Sequence, residues 1–253
     1  MERWAVLTGA TAGIGYEFAK LFAAEGFSLV LVARDRLRLD RVASELQQHQ
    51  ISVEVVAQDL SAPNAASVVF QSATGKPVSV LVNNAGFGAQ ESFASSSVEN
   101  ELAMMRTNMD AVVHLTHLFL QPMLARAGGR ILNVASTAAF QPGPFTNVYY
   151  ATKAFVFSFS VALAEELKDS GVTVTTLCPG YTETEFHERA HIKRSGYMVR
   201  MMNAAIVARA GYDGMMRGKG VVIPGLMNKV TAAISRRLPA SLSAKIVRRI
   251  NSR

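Results

Sequence analysis

The sequence predicts an α/β fold, a doubly wound parallel sheet of about seven strands with helices on both faces. Short β-branched runs predict strands at 4–7, 29–33, 53–57, 80–83, 130–134, 172–178 and 220–223. Helical patterns separate them, at 14–25, 35–49, 63–73, 97–126, 148–169 and 203–217. Most strand runs are apolar at every position, which is typical of strands buried on both faces of a parallel sheet. Regular alternation of strands and helices indicates repeated βα units.

Composition supports one large domain followed by a basic extension. The chain has 253 residues, of which 49% are apolar and 18% charged, so it can bury a sizeable core. The formal net charge is +7, and the last acidic residue is Asp213. Seven of the 26 basic residues lie in 225–253, which leaves 19 basic and 19 acidic residues in 1–224. We therefore predict a neutral domain, 1–224, and a basic C-terminal extension, 225–253.

Cysteine content and hydropathy suggest where the protein resides. Cys178 is the only cysteine, which excludes an internal disulfide framework and fits a reducing compartment. No apolar run approaches the roughly 18 residues that a membrane-spanning helix needs. We expect a cytoplasmic protein, with possible peripheral contact to a membrane.

A glycine-rich turn follows the first strand directly. The segment from Gly9 through Thr11, Ala12, Gly13 and Ile14 to Gly15 precedes a predicted helix. Glycines let the backbone approach a pyrophosphate, and the free amides and dipole of the helix attract its charge. The arrangement predicts a dinucleotide site, although such glycines can also form an ordinary tight turn.

The end of the second strand bears on which dinucleotide is bound. An acidic residue there would bind the ribose hydroxyls, but this sequence has Ala33 followed by Arg34. A guanidinium suits bidentate recognition of a 2′-phosphate, so Arg34 favours NADP(H). The alternative is that Arg34 is a solvated residue at the start of a charged helix.

The extension predicts two short amphipathic helices broken at Pro239. Apolar residues recur at four-residue steps, at Leu226, Val230, Ile234 and Leu238, and again at Leu242, Ile246 and Ile250. Three roles compete: packing on a partner subunit or capping a pocket, lying on an anionic membrane, and binding nucleic acid. The extension has no aromatic residue for base stacking, so we expect no nucleic acid partner.

Further motifs follow the glycine turn in a fixed order along the chain. They are Asp59-Leu60, Asn83-Asn84-Ala85-Gly86, Asn108, Ser136, Tyr149-x-x-x-Lys153, Pro179-Gly180 and Thr184. With this ordered set, the chain resembles the short-chain dehydrogenase/reductase family from Thr8 to about Pro224. The resemblance implies a Rossmann-type fold over 1–224 and an NAD(P)-dependent oxidoreductase acting on CH–OH groups.

The spacing of Tyr149 and Lys153 has a physical reading of its own. Residues four apart on a helix share a face, and a neighbouring ammonium can lower the pKa of a phenol. Tyr149 is thus the predicted general acid/base, and Ser136 can hydrogen-bond the substrate oxygen. The resemblance further implies that Lys153 holds the nicotinamide ribose and that Asn108 holds a water in a proton relay.

The resemblance also assigns cofactor contacts. It implies that Asp59 and Leu60 flank the adenine and that Asn84, Ala85 and Gly86 pass under the adenosine. It further implies that Thr182 and Thr184 hold the carboxamide and the nearby phosphate, and that Pro179 and Gly180 also contact the cofactor. Many NADP-preferring members carry a second basic residue where this chain has Ala12. We therefore expect NADP(H) to be preferred and NAD(H) to be possible.

Two alternatives to this function remain. His187, Glu188 and His191 match the H-E-x-x-H pattern of zinc hydrolases, but no third His or Glu ligand follows. We expect no metal. The second alternative is a catalytically idle sensor or scaffold that binds a nicotinamide nucleotide. The complete set of Asn108, Ser136, Tyr149 and Lys153 argues against it, because a binding module does not need an acid/base.

Apolar residues predict the partners. Strand ends place an aromatic set near the substrate, comprising Phe87, Phe140, Phe145, Tyr181 and Phe186. This set predicts a hydrophobic small-molecule substrate. The helix over 148–169 is apolar nearly all round, so one face covers the sheet and the other needs a second cover. We expect a homodimer or homotetramer.

Overall fold

A computed structural model describes residues 2–190 and 201–252. Nine strands lie within these residues: β1 Trp4–Thr8, β2 Ser28–Ala33, β3 Val53–Ala57, β4 Val78–Asn83, β5 Gly129–Val134, β6 Val172–Leu177, β7 Thr182–Glu183, β8 Met202–Asn203 and β9 Val221–Val222. The α-helices of the same residues are α1 Gly13–Ala24, α2 Arg36–Leu46, α3 Ala65–Ser72, α4 Val98–Met105, α5 Ala111–Ala125, α6 Asn147–Glu166, α7 Phe186–Arg189, α8 Ala204–Met216, α9 Leu226–Ser235 and α10 Ala240–Asn251.

Seven strands form one parallel sheet, which confirms the predicted fold class. Their order is β3-β2-β1-β4-β5-β6-β9, so the winding direction reverses between β1 and β4. Ligands of open α/β sheets bind at such a switch point, beyond the carboxyl ends of the strands. β7 and β8, which were not predicted, form a separate two-stranded parallel sheet.

Apolar side chains cover the sheet on both faces. One core joins β1, β2 and β5 to α1, α2 and α8, and Phe22 lies edge-on to Phe27 and Tyr212 there. The other core joins the opposite sheet face to α3, α5 and the end of α6. Strands covered twice need apolar residues at every position, which explains the unbroken apolar runs of the sequence.

The long helix predicted over 97–126 is interrupted by a π-turn. Residues Arg106–Asp110 form this turn between α4 and α5, and it contains Asn108. Such π-turns occur frequently at functional sites. α4 begins at Val98, one residue after the predicted start at 97, because Ser97 caps it by accepting a hydrogen bond from Asn100 N.

The C-terminal extension forms the two predicted helices, and Pro239 caps the second. Both pack back onto the sheet domain. Ala232 of α9 and Val247 of α10 are buried, and the Arg236 guanidinium lies 4.9 Å from the ring centre of Phe140. The division of the chain at 224/225 stays a prediction. Among the described residues, no helix combines the length and hydropathy needed to cross a bilayer.

Candidate active site

The glycine turn lies at the switch point of the sheet and opens onto the first turn of α1. Gly9 and Gly13 have φ angles of 67° and 54°, a region that favours glycine. A Cβ at Gly13 would lie 2.7 Å from Thr184 Cγ2. Ala12 caps α1 without a side-chain hydrogen bond, and the first turn has no acidic residue. The amides at this end of α1 are therefore available to an anion.

Two polar side chains hold the turn against the neighbouring strand. Thr8 Oγ1 accepts hydrogen bonds of 3.0 Å from the backbone amides of both Asn84 and Ala85. Asn84 Nδ2 donates to the carbonyl oxygens of Thr8 and Gly9, at 3.0 and 3.2 Å. The glycine turn after β1 and the segment after β4 are thus fixed to each other at the switch point.

A cleft with a volume of about 1430 Å³ runs along the carboxyl ends of the strands. This volume exceeds the range of roughly 300–1,000 Å³ that is usual for single small-molecule sites. The predicted cofactor residues on its wall are Gly9, Thr11, Ala12, Gly13, Ile14, Arg34, Asp59, Leu60, Asn84, Ala85, Gly86, Pro179, Gly180, Thr182 and Thr184. Gly15 lies beneath the wall, where a Cβ would overlap the carbonyl oxygen of Gly9. The cleft therefore fits a dinucleotide together with a second ligand.

A second arginine joins Arg34 on the cleft wall. Arg38, to which the sequence assigns no role, lines the cleft together with Arg34 and Asp35. Its Nη1 lies 2.9 Å from Glu185 Oε2, which connects α2 with the segment after β7. The four-residue spacing of Arg34 and Arg38 was the available signal, but only the packing of α2 against this edge places both in one cleft.

Three of the four predicted catalytic residues meet in the same cleft. Ser136 follows β5, and its side chain hydrogen-bonds that of Tyr149 on α6. One turn along α6, Lys153 Nζ donates to Val134 O at 2.9 Å and lies 5.8 Å from the ring centre of Tyr149. Ser136, Tyr149 and Lys153 all line the cleft, so a substrate oxygen placed there can reach a hydroxyl pair backed by an ammonium.

Burial is the main cause of the pKa shifts of Tyr149 and Lys153. It raises the pKa of Tyr149 to about 12, and the hydrogen bond with Ser136 opposes the rise. Burial also lowers the pKa of Lys153 to about 8. The expected lowering of the Tyr149 pKa is thus absent in this state, because Lys153 points to a backbone carbonyl and not to the phenol oxygen. At neutral pH, Tyr149 is therefore protonated, and Lys153 can exchange its proton.

Asn108 supports the cleft from behind. It is buried and does not line the cleft; its Nδ2 donates to Phe87 O at 2.9 Å and to Thr152 Oγ1 at 3.1 Å. Its Oδ1 accepts from Phe87 N at 3.1 Å. Both side-chain N–H groups are therefore used within the protein. The contact between Asn108 and a water stays a prediction. The group that binds the water would be Oδ1 or the main chain of Asn108.

Three of the five aromatic residues predicted near the substrate line the cleft. Phe87, Tyr181 and Phe186 line the cleft. Phe140 and Phe145 do not: Phe140 packs edge-on against Phe157 at a centroid distance of 5.0 Å, beneath Arg236. A strand-end position does not show which way a side chain points, so sequence could not separate these cases. Tyr150, the neighbour of Tyr149 on α6, lines the cleft as well.

The C-terminal helices complete the cleft, which agrees with capping of a pocket, one of the three roles predicted for the extension. Asn228 of α9 packs so tightly against Gly180 that a Cβ there would overlap its side-chain amide. Asn251 Nδ2 of α10 donates to Pro144 O at 2.9 Å. Residues of the two helices that line the cleft are Met227, Asn228, Thr231, Ala232, Ser235, Val247, Ile250 and Asn251. The recurrence of small and polar residues along one face of α9 was the signal for this contact.

The H-E-x-x-H pattern falls at the edge of the described residues. Glu188 lies in the short helix α7, whereas His191 lies outside the described residues and nothing is described of the His187 side chain. Within residues 2–190 and 201–252, no cluster of three or more His, Cys, Asp and Glu side chains could hold a metal ion. The zinc hypothesis therefore gains no structural support.

The close approach at Gly15 predicts a strong effect of Gly15→Ala. The added methyl group would force the glycine turn away from Asn84, so we expect the free energy of unfolding to fall by about 1–3 kcal/mol. Binding of NADPH should weaken at least tenfold. Urea denaturation and NADPH fluorescence measure both effects. Gly220→Ala is the matched control, because a Cβ at Gly220 meets nothing within 4 Å. Equal behaviour of the two variants would contradict this reading.

Burial of Lys153 predicts a dependence of stability on pH. The folded protein releases the Lys153 proton near pH 8, whereas the unfolded chain keeps it to about 10.5. Between these values the unfolded state binds more protons, so this residue makes the free energy of unfolding rise with pH. The stability of the wild type relative to Lys153→Met should therefore increase from pH 7.5 to 9.5 in urea denaturation. Contributions of tyrosines and Cys178 cancel in this difference. A constant difference would refute the burial argument.

Comparisons with known proteins agree with this geometry. The sequence model of the short chain dehydrogenase family matches residues 3–194. A very-long-chain 3-oxoacyl-CoA reductase from Bos taurus is 36% identical over 199 residues, which cover 77% of this chain and 63% of that protein. A 17-beta-hydroxysteroid dehydrogenase type 3 from Mus musculus is 35% identical, over 71% of this chain and 60% of its own. The matched parts thus span less than two thirds of these two relatives.

A solved structure extends the similarity to nearly the whole fold. The short-chain dehydrogenase from Sphingobium yanoikuyae in complex with NADPH superimposes with a TM-score of 0.84 and 30% identity. The match covers 94% of this chain and 96% of that one. The seven-stranded sheet, the glycine turn at its switch point and the family match lead to one conclusion: this chain belongs to the short-chain dehydrogenase/reductase family.

Proposed function

We propose that the protein is an oxidoreductase that transfers a hydride between NADP(H) and the carbonyl or secondary alcohol carbon of a hydrophobic substrate. One observation carries the proposal. Ser136, Tyr149 and Lys153 line the same cleft as the glycine turn, so an acid/base group and a dinucleotide site share one space. An idle binding protein of this fold would have no need for that juxtaposition.

A bound nicotinamide supplies or accepts the hydride. In the reducing direction, the hydroxyl of Tyr149 donates its proton to the oxygen that becomes the alcohol, a role worth about 10²–10⁴-fold in rate. Ser136 hydrogen-bonds the same oxygen and orients it. Lys153, whose pKa burial lowers to about 8, exchanges protons with its surroundings near neutral pH.

Two arginines support a preference for NADP(H). Arg34 and Arg38 both line the cleft beside the end of β2, where a 2′-phosphate would lie. Arg38 forms an ion pair with Glu185, so the charge of Arg38 is partly compensated. Arg34 therefore supplies the main attraction to a phosphate. NAD(H) lacks this group and would bind more weakly.

Apolar side chains form part of the cleft wall that we assign to the substrate. Phe87, Tyr181 and Phe186 lie on one side, and α9 and α10 add Met227, Val247 and Ile250. A bulky ketone, such as a long-chain 3-oxoacyl thioester or a steroid ketone, has the extended apolar surface that this wall can cover. The names of the bovine and murine relatives include both classes, which supports this substrate class.

Exposed apolar residues support self-association as a homodimer or homotetramer. On α6, Phe155 and Val161 are each 39% exposed, and Phe155 stacks on Phe159 with an interplanar angle of 3°. Leu102 and Met105 of α4 are also exposed. Apolar patches of this kind usually become buried at a contact between subunits.

Tyr149→Phe tests the mechanism. Removing the acid/base hydroxyl should lower turnover of NADPH with a panel of hydrophobic ketones and 3-oxoacyl thioesters at least 100-fold, while NADPH binding stays within threefold. The loss is read from absorbance at 340 nm. Tyr150→Phe is the matched control, since it removes a hydroxyl from the same cleft and should retain activity within about tenfold. Full turnover by Tyr149→Phe would refute the mechanism, and NADPH binding without turnover of any carbonyl would favour the idle sensor.

Arg34→Ala tests the cofactor preference. Loss of a guanidinium–phosphate contact should raise KM for NADPH at least tenfold, equivalent to about 1.4 kcal/mol, and leave KM for NADH within twofold. Arg36→Ala is the control, because Arg36 lies two residues further along, at the start of α2, but pairs with Asp40 at 2.9 Å. An equal rise for both cofactors would show that Arg34 has only a structural role.

A further inference from the structure

The outer face of α9 is apolar and uncovered. Leu226, Met227, Val230 and Ile234 are 78%, 75%, 45% and 53% exposed. Leu226, Val230 and Ile234 are four residues apart, so they share one side of the helix, opposite Ala232, which is buried. We call these four residues the outer face of α9. A solvent-facing helix would ordinarily carry polar residues at these positions.

α10 continues this pattern and adds positive charge. Ser243 and Val247 are buried, whereas Leu242 and Ile246 are exposed by 46% and 44%. Lys245 and Arg249 flank that exposed pair. In the described part of the chain, the bases of the extension that point outward make no ion pair; they are Lys229, Arg237, Lys245, Arg248 and Arg249.

Both helices also form the rim of the cleft. Met227 lines the cleft and belongs to the outer face of α9, so the opening and the exposed apolar surface are continuous there. Apart from Met227, the cleft takes its lining in this region from the inward faces of α9 and α10, and none of the lining residues of the two helices is basic. The charges of the extension therefore do not serve a ligand inside the cleft and act on something outside it.

We propose that the outer faces of α9 and α10 dock the protein on an anionic lipid surface, so that the rim of the cleft meets the membrane. Exposed Leu, Met, Val and Ile side chains can enter the headgroup boundary, while Lys and Arg attract anionic headgroups. A hydrophobic substrate could then pass from the bilayer into the cleft without crossing water. The docking does not depend on the chemistry proposed for the cleft.

Charge argues for a lipid partner over the two other classes. A second copy of the same face would bring two sets of positive charges together, because 225–253 contains no acidic residue to pair with them. A nucleic acid would leave Leu226, Met227, Val230 and Ile234 without an apolar partner. An anionic membrane satisfies the apolar residues and the charges at once.

Vesicle flotation of the full-length protein tests the docking. Vesicles of phosphatidylcholine alone are compared with vesicles that contain 30 mol% phosphatidylserine. We expect binding to the anionic vesicles to be at least tenfold stronger. Val230→Ser/Ile234→Ser should weaken it at least tenfold by removing apolar insertion. Lys245→Gln/Arg249→Gln should do the same, because each base near an anionic surface contributes about fivefold.

Matched controls separate docking from general surface effects. Leu37→Ser/Val68→Ser removes two exposed apolar residues of α2 and α3, and Lys168→Gln/Lys219→Gln removes two charges outside the extension. Both controls should bind vesicles within twofold of the wild type. NADPH binding and the thermal midpoint verify that each variant is folded. If the serine variant fails to fold, the exposed glutamine variant decides the question.

Three results would overturn the proposal. One is absence of wild-type binding to the anionic vesicles, or equal binding to both vesicle types. Another is a wild-type dimer that Val230→Ser/Ile234→Ser dissociates in sedimentation, without vesicle binding, since a second copy would then cover this face. The third is retention of a DNA duplex by the extension in place of vesicles. Each readout is independent of turnover, so failure of the proposed activity would not be confused with failure of docking.

Discussion

The reversal of strand order between β1 and β4 is the constraint on which the site depends. At this point Thr8 and Asn84 tie the glycine turn to the next strand end through four hydrogen bonds of 3.0–3.2 Å. Only a glycine at position 15 permits the backbone to come this close. The same contacts leave the amides of α1 open toward the cleft. The hydrogen bonds that join the two strand ends therefore also shape a site suited to an anion.

Burial sets the chemistry of the other side of the cleft. Removal from water raises the pKa of Tyr149 to about 12 and lowers that of Lys153 to about 8, so burial stabilises the neutral form of each side chain relative to the charged form. A buried phenol and a buried amine are thus held one helical turn apart. Asn108 and Thr152 fix this turn of α6 to the Phe87 segment, which makes the geometry a property of three elements and not of the Tyr-x-x-x-Lys pattern alone.

The extension changes the meaning of the net charge. A charge of +7 initially suggests a basic protein, but the charge belongs to residues 225–253. These residues form helices whose inward faces complete the cleft and whose outward faces carry uncovered apolar side chains. A single segment thereby has two surfaces of different chemistry, one facing a ligand and one facing outward. The proposal of lipid docking gives the second surface a partner.

The sequence by itself determined the class of sheet, most element positions and the chemistry-bearing residues, because burial on both faces and glycine turns leave periodic, local signals. Tertiary structure alone decided which residues share the cleft. Arg38 and the inner face of α9 line the cleft because segments distant in sequence pack together there. Phe140 packs under Arg236 and does not line the cleft, and Asn108 lies behind the cleft wall. Burial likewise reversed the expected pKa of Tyr149, since desolvation depends on every neighbour and not on spacing.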